Sequence, residues 1–317
     1  MDRSFAHPAS LVAIVALLAA ACAGPAGSVG PASAALDPAK DKLAQVLARG
    51  TLVLFTDPDY APQSFAVKGA TRQATTKCES NQLTAPEISG YDAETGKLVA
   101  AALGVEPCFV TPPFNEVIAG GWGDRWDVAW GSGAITASRM KDLYVTQPYY
   151  STPASYFVRA DSPIKDASEL AGKQIGACSG CTHELFLKGE LELPGETLTP
   201  PDSPQLVTFQ SEPPGLQALA DGKLDAFLCS TPVGQAEIDN GLPLRALPTP
   251  AFYTQKTGYV DRHLTLDPVA FLDRIDAVIA DLHAGGKLKA LSEQYFGVDY
   301  AAKAGAFDLA SIGQQVP

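Results

Sequence analysis

The sequence predicts an α/β protein of two Rossmann-like lobes joined by a two-strand hinge, and three observations carry that expectation. Short apolar runs alternate with helix-like stretches from residue 40 to residue 282, the rhythm of parallel sheets with crossover helices. Two extended, proline-punctuated segments, 147–159 and 242–252, interrupt it, and the roughly 90 residues between them suffice for one small domain. The length of 317 residues also corresponds to about two domains. In the simplest topology the chain leaves one lobe near residue 148, builds the second and returns near residue 249, leaving a cleft between them.

The elements follow in order. Residues 1–21 carry Arg3 and an apolar run over 11–21 that ends in small residues. That run is about half the length a membrane-spanning helix needs, so it is expected to be an export signal. Cys22 follows Leu18-Ala19-Ala20-Ala21, which resembles the bacterial lipobox, whose cysteine becomes the lipidated first residue of the mature chain. Ala19 stands where that pattern prefers Leu. The Gly-, Ala-, Pro- and Ser-rich stretch 22–36 cannot bury a face and reads as a flexible tether. Asp37 and Pro38 open a helix over 40–49 that Gly50 stops. Strands are expected at 51–56, 107–111, 126–131, 174–178, 206–210 and 225–229, and helices at 94–103, 115–120, 182–189, 214–221 and 268–282. Lobe one is then 37–148 plus 249–297, lobe two 149–248, and 298–317 a C-terminal tail. Ligands of open α/β sheets sit beyond the carboxyl ends of strands, which directs attention to the residues just after 51–56, 126–131, 174–178 and 225–229.

Charge and motifs exclude several functions. The chain carries 23 Lys and Arg against 35 Asp and Glu, a net charge of −12, which a nucleic-acid backbone would repel. Gly120-Gly-Trp-Gly123 is a turn rather than a phosphate loop, because no Lys-Ser/Thr follows it. No Ser/His/Asp set or glycosidase-like carboxylate pair emerges by spacing, so no catalytic residue, cofactor or metal is assigned. His7, His263 and His283 read as signal and surface residues, and Trp122, Trp126 and Trp130 as core. Past the signal, no segment is long and apolar enough to span a membrane.

The cleft edges carry Asp57-Pro-Asp-Tyr-Ala-Pro, Gly90-Tyr-Asp-Ala-Glu and Trp126-Asp-Val-Ala-Trp-Gly-Ser-Gly-Ala-Ile-Thr followed by Arg139. Together with Arg49-Gly-Thr-Leu-Val, Asp161-Ser-Pro-Ile-Lys-Asp-Ala-Ser-Glu-Leu-Ala-Gly-Lys, Leu216-Gln-Ala-Leu-Ala-Asp-Gly-Lys-Leu-Asp-Ala and the ending Leu282 to Gly297, these pieces resemble, in order over about 37–297, the family-three extracytoplasmic solute-binding proteins. These are the receptors of polar amino-acid ABC importers, with a periplasmic binding protein-like fold of type II. The resemblance implies that Arg139 clamps a ligand carboxylate, a role its planar two-bond fork suits. A surface pairing of Arg139 with Asp142 is the plain alternative. It further implies that Gly131, Ser132, Gly133 and Ala134 border the carboxylate, with Ser132 and the amides near Gly133 as donors. Thr182 matches another donor, beside Cys181 and His183. Tyr60 and Phe114 match aromatic walls, core packing being the alternative for Phe114. Asp57 would face the distal or cationic end of the ligand, a helix cap being its alternative.

The sequence also departs from the pattern. Where family members usually carry an Asp that faces the ligand α-ammonium stands Ser230, so either Asp57, Asp92 or Glu94 replaces that charge or the ligand lacks an ammonium. Ala134 stands where a hydroxyl is usual and Gln63 where an aromatic is usual. With Cys22 set aside, five cysteines remain, an odd number outside the cytoplasm. Cys78 with Cys108 makes a plausible loop-pinning bridge. For Cys178, Cys181 and Cys229, which with His183 border the cleft by family correspondence, three readings stay open. They are a disulfide (Cys229 with Cys178 or Cys181, or Cys178 with Cys181), a metal site of Cys178, Cys181, Cys229 and His183, and a redox dithiol. The expectation is a lipid-anchored, monomeric receptor that binds a small carboxylate-bearing solute for an ABC permease. An accessory protein of a periplasmic quinoprotein dehydrogenase and a cyclohexadienyl-dehydratase-like enzyme are the alternatives on the same fold.

Overall fold

The computed structural model describes residues 37–314. The expected signal over 1–21, the lipidation at Cys22 and the tether through residue 36 lie outside the described residues, as does the end of the tail at 315–317.

Eleven strands join in one sheet. On one side Thr51–Phe55 runs parallel to both Glu106–Val110 and Val128–Ala134. On the other, Gln174–Cys178 lies parallel between Gln205–Phe209 and Ala226–Ser230. Two ten-residue strands, Tyr150–Arg159 and Phe252–Asp261, run antiparallel to each other between these sets. Outward, the first pairs with Ala226–Ser230 and the second with Val128–Ala134, both antiparallel. The chain therefore crosses between the parallel sets along paired extended strands. A separate three-stranded sheet of Asp59–Tyr60, Ser64–Ala66 and Ile88–Ser89 holds Tyr60 in place.

Burial explains the parallel sets. Every residue of Thr51–Phe55 is buried, as expected for a strand covered on both faces. Alternate side chains feed different cores: Leu52 and Leu54 pack with Val99, Leu103 and Ile275, whereas Val53 and Phe55 pack with Trp122 and Trp126. In the other set Ala226 and Leu228 join one core, Phe227 and Cys229 another. A Cβ at Gly215 would stand 2.0 Å from the Phe227 ring and one at Gly234 2.2 Å from that of Phe157. Lacking side chains at these points, helices Glu212–Ala220 and Thr231–Asp239 settle directly onto the rings.

Several elements differ from expectation, each for a local reason. The first helix spans Lys42–Arg49 and is capped by Asp41, whose carboxylate accepts the Ala44 N–H at 2.8 Å. Backbone bonds tying Lys40 and Lys42 to Asp267 hold the preceding turn out of the helix. The strand expected at 126–131 is Val128–Ala134. Asp127 instead turns its carboxylate back to accept from Val53 N–H at 2.7 Å and to pair with Lys42 at 2.8 Å and with Arg49. The second crossing is Phe252–Asp261 rather than 242–252, which yields only the short strand Leu244–Ala246. Pro248 and Pro250 lack the N–H that a longer ladder needs. Helix Thr231–Asp239 went unanticipated. The expected tail packs as well: Tyr300 C=O accepts from Ser151 N–H at 2.8 Å before helix Ala301–Gly305, and the Gln314 amide bonds both backbone groups of Val145.

Candidate functional site

A cavity with about 620 Å³ of non-atom space, open at its mouth, lies at the carboxyl ends of both parallel sets, where the connections between strands and helices bring polar groups together. From the first set come Asp57, Phe114, Gly131, Ser132, Ala134 and Arg139. From the second come Cys178, Ser179, Cys181, Thr182 and His183, then Gln210, Ser211 and Glu212. Tyr60 reaches in from the small sheet, and Lys256 from the central strand Phe252–Asp261.

Arg139 is buried at 6% exposure in a short 3-10 turn, Arg139–Lys141. Its guanidinium donates to Tyr259 Oη at 3.0 Å, to Ala134 C=O at 3.4 Å and to Gly180 C=O at 3.2 Å, and lies 5.3 Å from the centre of the Phe114 ring. All these partners are uncharged, and no carboxylate lies within 4.0 Å of it among the described residues; the alternative pairing with Asp142 is not formed. Lys256 is also buried, and no carboxylate lies within 4.0 Å of its ammonium among the described residues. Burial pushes its pKa down to about 8, with the charge of Arg139 adding to the effect and that of Glu212 opposing it.

Two carboxyl groups share the cavity with these cations. Burial raises the pKa of Asp57, whose Oδ1 accepts from Asp59 N–H at 3.0 Å in a turn, so it caps no helix. Glu212, 1% exposed, has its pKa pushed up to about 8, chiefly by burial. Its Oε1 accepts from Ser230 N–H at 3.4 Å and lies 3.2 Å from His183 Nδ1, while Oε2 is buried without a partner. His183 is held down to about 3 by burial and is therefore neutral. Behind Ser132 sits Asp92, raised to about 6 by burial against hydrogen bonds from Ser132 at 2.6 Å and Tyr149 at 2.9 Å.

Of the residues expected from the sequence, Asp57, Tyr60, Phe114, Gly131, Ser132, Ala134, Arg139, Cys181, Thr182 and His183 line this cavity. Gly133 and Ser230 do not: Gly133 packs on the Tyr259 ring, and Ser230 stands just before helix Thr231–Asp239 without a side-chain capping bond. The hydroxyl proton of Ser132 goes to Asp92 and its oxygen meets Tyr150 Oη at 2.7 Å, so Ser132 does not donate to a ligand carboxylate as the resemblance implied. At φ +56° Ser132 also occupies the left-handed region, which costs about 1 kcal/mol and tends to persist at functional sites. Neither Asp92 nor Glu94 lines the cavity; the carboxyl group beside Ser230 is that of Glu212. Glu212 and Lys256 carried no sequence signal, since one reads as an ordinary first-turn acid and the other as a strand residue. Cys78 pairs with Cys108 and Cys178 with Cys181, leaving Cys229 free and buried.

No helix among the described residues is long and apolar enough to cross a membrane. The chain is 25% identical over 259 residues to the L-cystine-binding protein TcyJ of Escherichia coli, covering 81% of this chain and 86% of that protein. It is 24% identical over 214 residues to the ABC transporter arginine-binding protein 1 of Escherichia coli, covering 66% and 82%. In fold it is similar to the crystal structure of an ancestral amino acid-binding protein, a precursor of cyclohexadienyl dehydratase, with a TM-score of 0.63 and 22% identity over 81% of this chain and 99% of that one. The sequence model of the bacterial extracellular solute-binding proteins, family 3, matches residues 52–298. With its α/β architecture and a cavity of charged and aromatic side chains at the strand ends, the chain belongs to that family and is a solute-binding receptor.

Proposed function

We propose that this protein delivers a zwitterionic amino-acid-type solute to an ABC permease. The observation that carries this reading is the charge content of the cavity: Arg139 and Lys256, neither with a carboxylate within 4.0 Å among the described residues, disfavour one another's charge, as do Asp57 and Glu212, and the attraction of Lys256 to Glu212 offsets this only in part. A zwitterion relieves both repulsions, its carboxylate on the Arg139 fork and its ammonium between the two carboxyl groups. The relatives that bind cystine and arginine support an amino-acid ligand. Glu212 then takes the place of the Asp missing at Ser230. Lobe one, 37–148 plus 249–297, and lobe two, 149–248, close on the solute by bending along the two central strands, because the solute's contacts with both differ between open and closed states. Export by residues 1–21 and lipidation at Cys22 would hold the receptor at the outer face of the cytoplasmic membrane. The test is a calorimetric screen of amino acids and organic acids, followed by Arg139→Ala. Two charge-assisted bonds of about 1.5–3 kcal/mol each set the expected loss at roughly a hundredfold or more, with the thermal midpoint little changed. Equal affinity in the variant would refute the role of Arg139.

A further inference from the structure

We propose that the corner of the cavity formed by Cys178, Cys181, His183 and Glu212 is a redox-gated site for a borderline-soft divalent cation of the zinc class. In the structure the two sulfurs are joined in a disulfide. Around them, His183 Nδ1 lies 3.2 Å from Glu212 Oε1, and Cys178 Sγ lies 3.6 Å from each of those two atoms. A tetrahedral ion with bonds of about 2.3 Å to sulfur and about 2.0–2.1 Å to nitrogen or oxygen separates its donors by about 3.3 Å for N to O and about 3.5 Å for S to either. Three donors thus already stand at the corners of one face of such a tetrahedron. The sulfur of Cys181 lies within 4.8 Å of the Cys178 and His183 donors and would supply the fourth once the disulfide opens and its side chain turns toward Glu212. Cys178-Ser-Gly-Cys181 has the two-residue spacing at which a tight turn presents two thiolates to one ion, and Gly180, at φ +72°, makes that turn.

A second observation points to a cation. Glu212 Oε2 is buried without a hydrogen bond of good geometry among the described residues, Tyr60 being the side chain nearest to giving its carboxyl one, and Glu212 lines the cavity. Buried carboxylate oxygens are ordinarily satisfied, and an ion held by both oxygens of Glu212, Oε2 as well as the Oε1 that faces His183, would satisfy this one. The donor set differs from that suggested by sequence alone. Cys229 packs in an apolar cluster with Phe227 and Val233 and does not line the cavity, and Glu212 takes its place.

While the disulfide is intact the sulfurs offer no thiolate, and the site is closed. A dithiol reductant opens it: the Cys178–Cys181 bond breaks, each sulfur gains an electron and a proton, and the dithiol, having lost two of each, leaves as a disulfide. The cation then displaces both thiol protons and any proton on the donor atoms of His183 and Glu212.

The test titrates the full chain with Zn²⁺ against a chromophoric chelator, without solute, in the oxidised form and after anaerobic reduction with a phosphine. It is repeated with Co²⁺ to read the coordination. The reduced chain is expected to take up zinc stoichiometrically, and the cobalt form to show thiolate charge-transfer and intense tetrahedral visible bands, while the oxidised chain shows neither. Glu212→Gln and His183→Ala should each weaken zinc binding by at least about tenfold. Cys178→Ser combined with Cys181→Ser should abolish it, and Cys229→Ser should leave it unchanged. The proposal is overturned by no uptake in the reduced chain, equal uptake in the oxidised chain, indifference to Glu212→Gln, or uptake that survives the double serine substitution. Glu212→Gln, which changes a single atom, keeps the test decisive if the double variant fails to fold.

Discussion

Arg139 and Glu212 both line the cavity, and their chemistry differs in how far it depends on tertiary packing. A guanidinium keeps its charge wherever it lies; the contribution of the fold is to bury it with only neutral oxygens and a ring for company. A glutamate carboxyl takes its character from burial, which here raises its pKa to about 8. If Glu212 faces the ammonium of the solute, Glu212→Gln should lower affinity for an amino acid by roughly 10–100-fold, a few kcal/mol being the usual effect of removing one partner of a buried pair. Affinity for the matching carboxylic acid without the ammonium should hardly change. Calorimetry on the two ligands separates these effects, and equal losses for both would remove the ammonium role. Arg139 was legible through the resemblance of Gly131-Ser-Gly-Ala-Ile-Thr-Ala-Ser-Arg139 to the family pattern, and the structure puts it in the cavity. Glu212 was not, because nothing along the chain says that Ser230 N–H and His183 will converge on its carboxylate.

At the scale of elements, two fastenings hold the site's supports. The Cys78–Cys108 bridge, with a sequence separation of 30, ties the loop before Leu83–Thr84 to the strand Glu106–Val110. Chain-entropy arguments give about 3–4 kcal/mol for a loop of that length. The paired Cys78→Ser and Cys108→Ser variant should lose an amount of that order in denaturant melts, and an unchanged midpoint would count against the pairing. The second fastening is Asp276 on helix Val269–Ala284, whose Oδ1 accepts from Gln147 N–H at 2.6 Å just before the first central strand. Burial, aided by Asp273, raises its pKa to about 6. Because the folded-state pKa lies above the unfolded one, its contribution to stability is fully present below about pH 4 and is lost as pH rises through about 6. Asp276→Asn keeps an acceptor and cannot ionise. Relative to the parent it should therefore gain about 1–3 kcal/mol between pH 4 and pH 8; parallel stability curves across that range would reject the assignment.

For the whole molecule, the proposal is that the two lobes hinge along Tyr150–Arg159 and Phe252–Asp261, so a solute bridging the cavity should draw them together. Small-angle scattering should then show a smaller radius of gyration on adding a saturating amino acid, and Arg139→Ala should remove the change. Identical scattering with and without bound solute would argue against closure.

The sequence alone determined the alternation of buried strands and covering helices, because hydrophobic periodicity is local and survives without knowledge of neighbours. It also determined the carboxyl-end segments from which Asp57, Arg139 and His183 come. The tertiary structure decided the rest. It placed the second crossing at Phe252–Asp261, past the prolines, and so turned Lys256 into the cavity. It chose Cys181 over Cys229 as the partner of Cys178, and it set Glu212 beside Ser230. Those outcomes depend on distances between residues far apart in the chain, and such distances are fixed only when both parallel sets pack against the central strands.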